Sequence, residues 1–138
     1  MLHLLDTDTA SYIIKQHSAD AREKLDALDP RQVAISAITQ AELLYGLQRL
    51  SPGNRLHLVV REFLDATQVL AWPAEAAEFY AQIRHQLTTE GQPIGDLDMM
   101  IASHALALRA TLVTNNTRHY SRIAAPLILT NWMDEQDV

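Results

Sequence analysis

Leu2-His3-Leu4-Leu5-Asp6-Thr7-Asp8-Thr9 sets the pattern for the whole chain. The apolar run 2–5 reads as a short buried strand, and it stops abruptly on an acid. Residues 33–36, 69–71, 111–114 and 127–129 read as further short strands. The stretches between them carry helical spacing instead. Helices are predicted over residues 10–16 and 21–28, and over 39–50, where Leu43, Leu47 and, beside them, Leu44 share one side. Pro52 and Gly53 break that helix, and 55–64 resumes it. Pro73 opens a long helix over 74–89. After a loop marked by Gly91, Pro93 and Gly95 comes an alanine-rich buried helix over 97–109, and a short helix covers 118–123. Short strands alternating with helices predict an α/β fold on a parallel sheet.

The acids gain meaning from that frame. Open parallel sheets bind ligands beyond the carboxyl ends of their strands. Asp6 directly follows the first strand, and Asn115 and Asn116 follow the fourth. Glu42 lies early in the helix after the second strand, and Asp98 at the start of the helix before the fourth. Topology therefore draws all of them toward one edge.

The 138 residues fit one domain spanning 1–138, long enough to bury a core without staples. There is no cysteine, which excludes disulfides, thiolate metal sites and a cysteine nucleophile. A reducing, cytoplasmic setting is expected. The start of the chain lacks the basic and apolar regions of a signal peptide, and no apolar run is long enough to span a bilayer. The net charge of −6 counts against a nucleic-acid binder. Bound divalent metal would cancel part of it. Asp134, Glu135 and Asp137 contribute another part from an expected solvated tail.

Each acid also has a purely structural explanation. Asp6 or Asp8 can cap the following helix, and Asp96 can cap its own, with Asp98 in the favourable first turn. Thr39-Gln40-Ala41-Glu42 fits a capping box. Against this, Asp6 and Asp98 flank core elements, where an unpaired charge is costly. Carboxylates crowded together repel unless a cation joins them. An all-oxygen donor set suits magnesium or manganese.

Taken in order, Leu4-Leu5-Asp6-Thr7-Asp8-Thr9, Ile35-Ser36-Ala37-Ile38-Thr39-Gln40-Ala41-Glu42-Leu43-Leu44-Tyr45-Gly46, Gly95-Asp96-Leu97-Asp98-Met99-Met100-Ile101-Ala102-Ser103-His104-Ala105 and Leu112-Val113-Thr114-Asn115-Asn116-Thr117 resemble a PIN-domain ribonuclease of the VapC toxin type. The resemblance spans essentially the whole chain. It implies a three-layer fold with a short central parallel sheet flanked by helices. It makes Asp6 and Asp98 the metal ligands, for Mg2+ or Mn2+. Glu42 becomes the third catalytic acid, acting on the metal directly or through water. Asn116 falls where many family members carry a fourth aspartate, so a second tightly held metal is in doubt. Asp8 stands where asparagine or serine is more usual, and a helix cap is the preferred reading. Asp96 is read as a cap or a neighbour of the site.

The implied activity is that of a toxin endoribonuclease cleaving a structured RNA, such as a transfer RNA, by metal-activated water. The products would carry a 5′-phosphate and a 3′-hydroxyl. The implied partners are a second copy of the chain and a VapB-type antitoxin, through which any DNA binding would run. Leu43, Leu44, Leu47, Leu56, Val59, Val60 and Phe63 are candidates for the antitoxin groove or the dimer contact, with plain core packing expected for most. The six histidines are scattered without metal-type spacing. His104 is expected in the core or an interface, and Arg118 and His119 either reach phosphate or lie on the surface. Rival folds fare worse. A receiver domain needs a lysine late in the chain, whereas Lys15 and Lys24 both come early. No phosphate-binding glycine loop or serine-hydrolase elbow occurs. A catalytically inactive PIN-like scaffold is the alternative kept open by the two asparagines.

Overall fold

A computed structural model describes residues 1–133, so the acidic tail at Asp134, Glu135 and Asp137 lies outside the described residues. The strands are β1 (His3–Leu5), β2 (Val33–Ser36), β3 (Gln68–Leu70), β4 (Thr111–Val113) and β5 (Ile128–Thr130). The helices are α1 (Thr7–Ile14), α2 (Ala19–Ala27), α3 (Ala37–Gln48), α4 (Leu56–Ala66), α5 (Ala76–Thr89), α6 (Asp96–Leu108) and α7 (Thr117–Tyr120). The strands form one parallel sheet in the order β3-β2-β1-β4-β5. The chain builds outward from β1 to β3, then crosses back through α5 and α6 to place β4 on the other side of β1. The order reverses between β1 and β4, and that is where such sheets open a crevice.

Alternation along β1 feeds the two faces. Leu4 joins Ala34, Leu112 and the inner sides of α5 and α6, including Ile83, Leu87, Ile101 and Ala105. Leu5 joins Ile35, Val113 and the helices α1 to α4 through Ile13, Ala21, Leu43, Leu47 and Val60. Helices thus cover both faces, which explains why the strands read as continuous apolar runs. Deleting a buried leucine here would cost about 2–5 kcal/mol.

Local chemistry sets the helix starts, and it corrects several expectations. Asp6 is the cap of α1, its side chain accepting from the Thr9 N–H, so the helix begins at Thr7 rather than at residue 10. Asp8 sits inside the first turn and is exposed; it caps nothing. The start of α3 is set by Ser36, whose Oγ accepts from the Ile38 N–H. The expected Thr39–Glu42 capping box is therefore absent, because a hydroxyl three residues earlier already takes the role at the end of β2. Gly95 holds the cap position of α6 without a side-chain bond, so Asp96 is an exposed first-turn residue and not a cap. The last turn of α6 closes on Arg109 in the left-handed region, with φ of 54°, and the Ala110 N–H returns to Ala105 O. The strands expected over 69–71 and 127–129 each begin one residue earlier or later.

Candidate active site

The β1–β4 crevice is tied together at the backbone. The Asp6 N–H donates to Val113 O at 3.0 Å, and Thr9 Oγ1 donates to the same carbonyl at 3.3 Å. Asp6 is thereby fixed beside the end of β4, only 3% exposed. Burial pushes its carboxyl up to about 6 from 3.8. Hydrogen bonds from the Thr114 side chain and from Thr9 oppose the rise, and the charge of Asp8 adds to it. Thr114 in turn accepts the Asn116 N–H at 2.9 Å.

Glu42 comes from the other side, on α3. Thr7 Oγ1 donates to its Oε1 at 2.6 Å, and Thr39 Oγ1 lies 3.1 Å from Thr7 Oγ1. Burial raises the Glu42 pKa, the Thr7 bond lowers it, and the charges of Asp98 and Asp8 raise it further. Asp98 opens α6, half-exposed, with His119 Nε2 3.3 Å from its Oδ2. The two atoms are close without the alignment of a hydrogen bond, which is why that nitrogen also stands as a buried atom lacking a partner. Tyr120, buried beneath them, has its hydroxyl held strongly neutral by burial, then by the charges of Asp98 and Asp6.

The charges of Asp98 and Asp8 act on Glu42 and that of Asp8 acts on Asp6, while Asp98 and Asp6 both act on the Tyr120 hydroxyl, so the three acids singled out from the sequence border one region, with Asp8 as the charge common to all three shifts. Asn116 holds the cap position of α7 without a side-chain bond and is exposed, whereas the Oδ1 of Asn115 is buried with no partner among the described residues. Sequence reasoning missed three contributors. Thr39 reads in the sequence only as a helix-start residue and Thr7 as part of the turn after the first strand, although each stands within a turn of a candidate acid. Tyr120 follows His119 one turn beyond Asn116, a spacing that returns both to the crevice. His104 is fully buried, as expected for a core position, with Nδ1 2.8 Å from Ser36 Oγ.

Of the proposed groove residues, Leu43, Leu47 and Val60 are core. Val59 and Phe63, by contrast, line a groove of about 550 Å³ with Ile13, Ile14 and Leu25, between α1–α2 and α4. None of the carboxylates of the crevice lines it. No helix among the described residues is long and apolar enough to cross a membrane.

A parallel sheet of this order, carrying acids from β1, α3 and α6 at its carboxyl edge, defines a class of protein. The PIN-domain pattern matches residues 3–126, and the chain belongs to the PIN-domain family. Within it, the similarity is to VapC ribonucleases. The chain is 36% identical to Ribonuclease VapC2 of Rickettsia felis, over 96% of this chain and 98% of that one. It is 37% identical to the tRNA(fMet)-specific endonuclease VapC of Shigella flexneri, over 87% and 90%. Its fold is similar to a chain in the crystal structure of VapBC2 from Rickettsia felis bound to a DNA fragment from their promoter. There the TM-score is 0.87 at 35% identity, covering 96% of this chain and 99% of that chain.

Proposed function

We propose that this chain is a divalent-cation-dependent endoribonuclease, the toxin of a toxin–antitoxin pair, acting on a structured RNA of the transfer-RNA class. The observation that carries the reading is the placement of Asp6, Glu42 and Asp98 at the carboxyl edge of one parallel sheet, with Asp6 buried and Glu42 partly so. Burial raises the pKa of both Asp6 and Glu42 from its ordinary value, and a neighbouring negative charge adds to each shift. Such a cluster costs stability until a cation neutralises it.

The donor set fits magnesium or manganese. It is all oxygen, and among the described residues no three acids or histidines are close enough to enclose an ion unaided. Magnesium is commonly held by one or two carboxylates, with water and phosphate oxygens filling the remaining positions. Asp6 and Asp98 would hold it. When bound, it supplies Lewis acidity at the phosphate and lowers the pKa of water. Glu42 has Oε1 engaged by Thr7. Its Oε2 is left to accept the proton of an attacking water, and its raised pKa suits a general base. Attack by water in line with the 3′-oxygen leaves a 5′-phosphate and a 3′-hydroxyl, with no role for the 2′-hydroxyl as nucleophile.

The substrate class is supported by the name of the Shigella relative, and the antitoxin by the VapBC complexes among related structures. We assign the antitoxin, of VapB type, to the groove beside Val59 and Phe63, and expect the toxin to pair with a second copy of itself.

The test is cleavage of total cellular RNA by the purified protein, freed of antitoxin, with magnesium, with manganese and with EDTA. Asp6→Asn and Asp98→Asn run alongside. Metal-dependent cleavage lost in both variants is expected. A well-folded protein inert under every metal would favour the inactive scaffold, and cleavage that survives EDTA or both substitutions would mean the site is elsewhere.

A further inference from the structure

We infer that Thr7 and Thr39 form a directional hydroxyl relay that positions the Glu42 carboxylate, with Thr39 acting only through Thr7. The inference rests on the reading of Glu42 as a working acid of the site.

The direction follows from counting protons. An ionised carboxylate only accepts, so in the 2.6 Å contact Thr7 is the donor to Glu42 Oε1. A hydroxyl has one proton to give. The 3.1 Å contact between Thr7 Oγ1 and Thr39 Oγ1 must then run the other way, with Thr39 donating. Thr39 is fully buried and cannot offer that proton to water. The chain reads Thr39 to Thr7 to Glu42, and each donation polarises the next.

Neither hydroxyl is needed to start its own helix. Asp6 caps α1 and Ser36 caps α3. Both threonines are therefore free for another task, and among the described residues the side chain on which their contacts converge is Glu42. The relay also joins elements that the sheet does not. Thr7 follows Asp6 directly, and the Asp6 amide is anchored to Val113 O. Glu42 sits on α3, one turn after Thr39. The relay thus fixes one carboxylate relative to the other across α1 and α3, leaving Oε2 of Glu42 for chemistry. Thr7 and Thr39 are positioning residues.

The experiment compares Thr7→Val, Thr7→Ser, Thr39→Val and the valine double variant, in the wild-type chain and with Glu42→Gln. Steady-state cleavage of a purified transfer-RNA fraction with magnesium supplies kcat and KM. A crystal structure of Thr7→Val supplies the position of the Glu42 carboxylate. Thr7→Val should lower kcat by about ten- to a hundred-fold with KM little changed, as expected for a displaced catalytic group. Thr7→Ser should restore most of it. The double variant should be no worse than Thr7→Val alone, and Thr7→Val should add nothing on the Glu42→Gln background. In the Thr7→Val crystal, Glu42 should leave its wild-type position. Full activity in Thr7→Val, no rescue by serine, or multiplying effects of the two threonines would overturn the relay. If the wild-type protein proves inert on RNA, the functional reading fails, and the crystal structure still decides: an unmoved Glu42 in Thr7→Val overturns the relay and a displaced one supports it.

Discussion

His119 places its Nε2 3.3 Å from Asp98 Oδ2, with its ring edge-on to Tyr120 at 5.4 Å. The imidazole occupies a flank of one of the two carboxylates proposed to hold the cation, so a cation held by Asp98 would have to share that carboxylate with the histidine. The side chains are partly exposed, and such a pair is worth about 1 kcal/mol at most. His119→Ala is expected to lower the magnesium concentration for half-maximal cleavage, by about five-fold at most on that scale. A higher magnesium requirement in a titration of RNA cleavage would instead make His119 a helper of metal or phosphate binding.

Asp6 carries a stability signature that needs no substrate. Its folded carboxyl titrates near 6 against an ordinary 3.8. Below 3.8 it is protonated in both states. As pH rises, the unfolded chain ionises first, so the stability present in acid is lost as pH climbs through 6. At pH 7.5 the buried charge costs up to about 3 kcal/mol in the metal-free protein, at about 1.4 kcal/mol per pH unit. Asparagine keeps the cap on α1 and removes the charge. Asp6→Asn should therefore stabilise the EDTA-treated protein at pH 7.5 and leave it nearly unchanged at pH 4, measured by urea unfolding. Magnesium should stabilise the wild type and leave the variant unmoved.

His104 works in the opposite direction. Burial lowers its pKa below the ordinary 6.5, so the fold holds it neutral. The unfolded chain takes up a proton first as pH falls, and stability drops below pH 6.5 toward the folded value. Among the described residues the facing groups are Ser36 Oγ at Nδ1 and no partner at Nε2. Because Asp6 titrates in an overlapping range, the measurement belongs in the Asp6→Asn background. There, urea midpoints should fall between pH 6.5 and 5, and His104→Asn should flatten that slope.

Arg109 is exposed and ends α6 with φ of 54°. A side chain pays roughly 1 kcal/mol for that conformation, and glycine does not. Arg109→Gly should raise stability by about 0.5–1 kcal/mol, offset in part by the extra freedom glycine gives the unfolded chain. A fall in the thermal midpoint would show that the arginine makes a compensating contact.

The fold was legible because the strands of a doubly covered sheet must be apolar throughout, and Leu4-Leu5, Val33 to Ile35 and Leu112-Val113 show it. The three acids were legible because each sits where a strand ends or a helix starts. What sequence could not settle was which hydroxyl does which task. Ser36 and Thr39 are equally good caps on paper, and only the end of β2 at Ser36 decides between them. Asp8 looked like a cap for the same reason, yet Asp6 takes that role the moment the strand stops. His119 and Tyr120 reach the site through the turn of α7, which four residues of helix give little periodicity to reveal.

The pairing of β1 with β4 joins residues more than a hundred positions apart; the Thr9–Val113 contact alone spans 104. Closing so long a loop comes late in folding, because its entropy is lost before the contact is gained. During synthesis, β4 leaves the ribosome long after β1, and domains made in that order complete themselves only when the last strand arrives. Asp6 therefore lacks its β4 side, and Asp98 has no α7 to lean on, until nearly the whole chain has been made. A nascent or truncated chain of this protein thus lacks the assembled crevice, and whatever activity the crevice carries belongs to the finished chain alone.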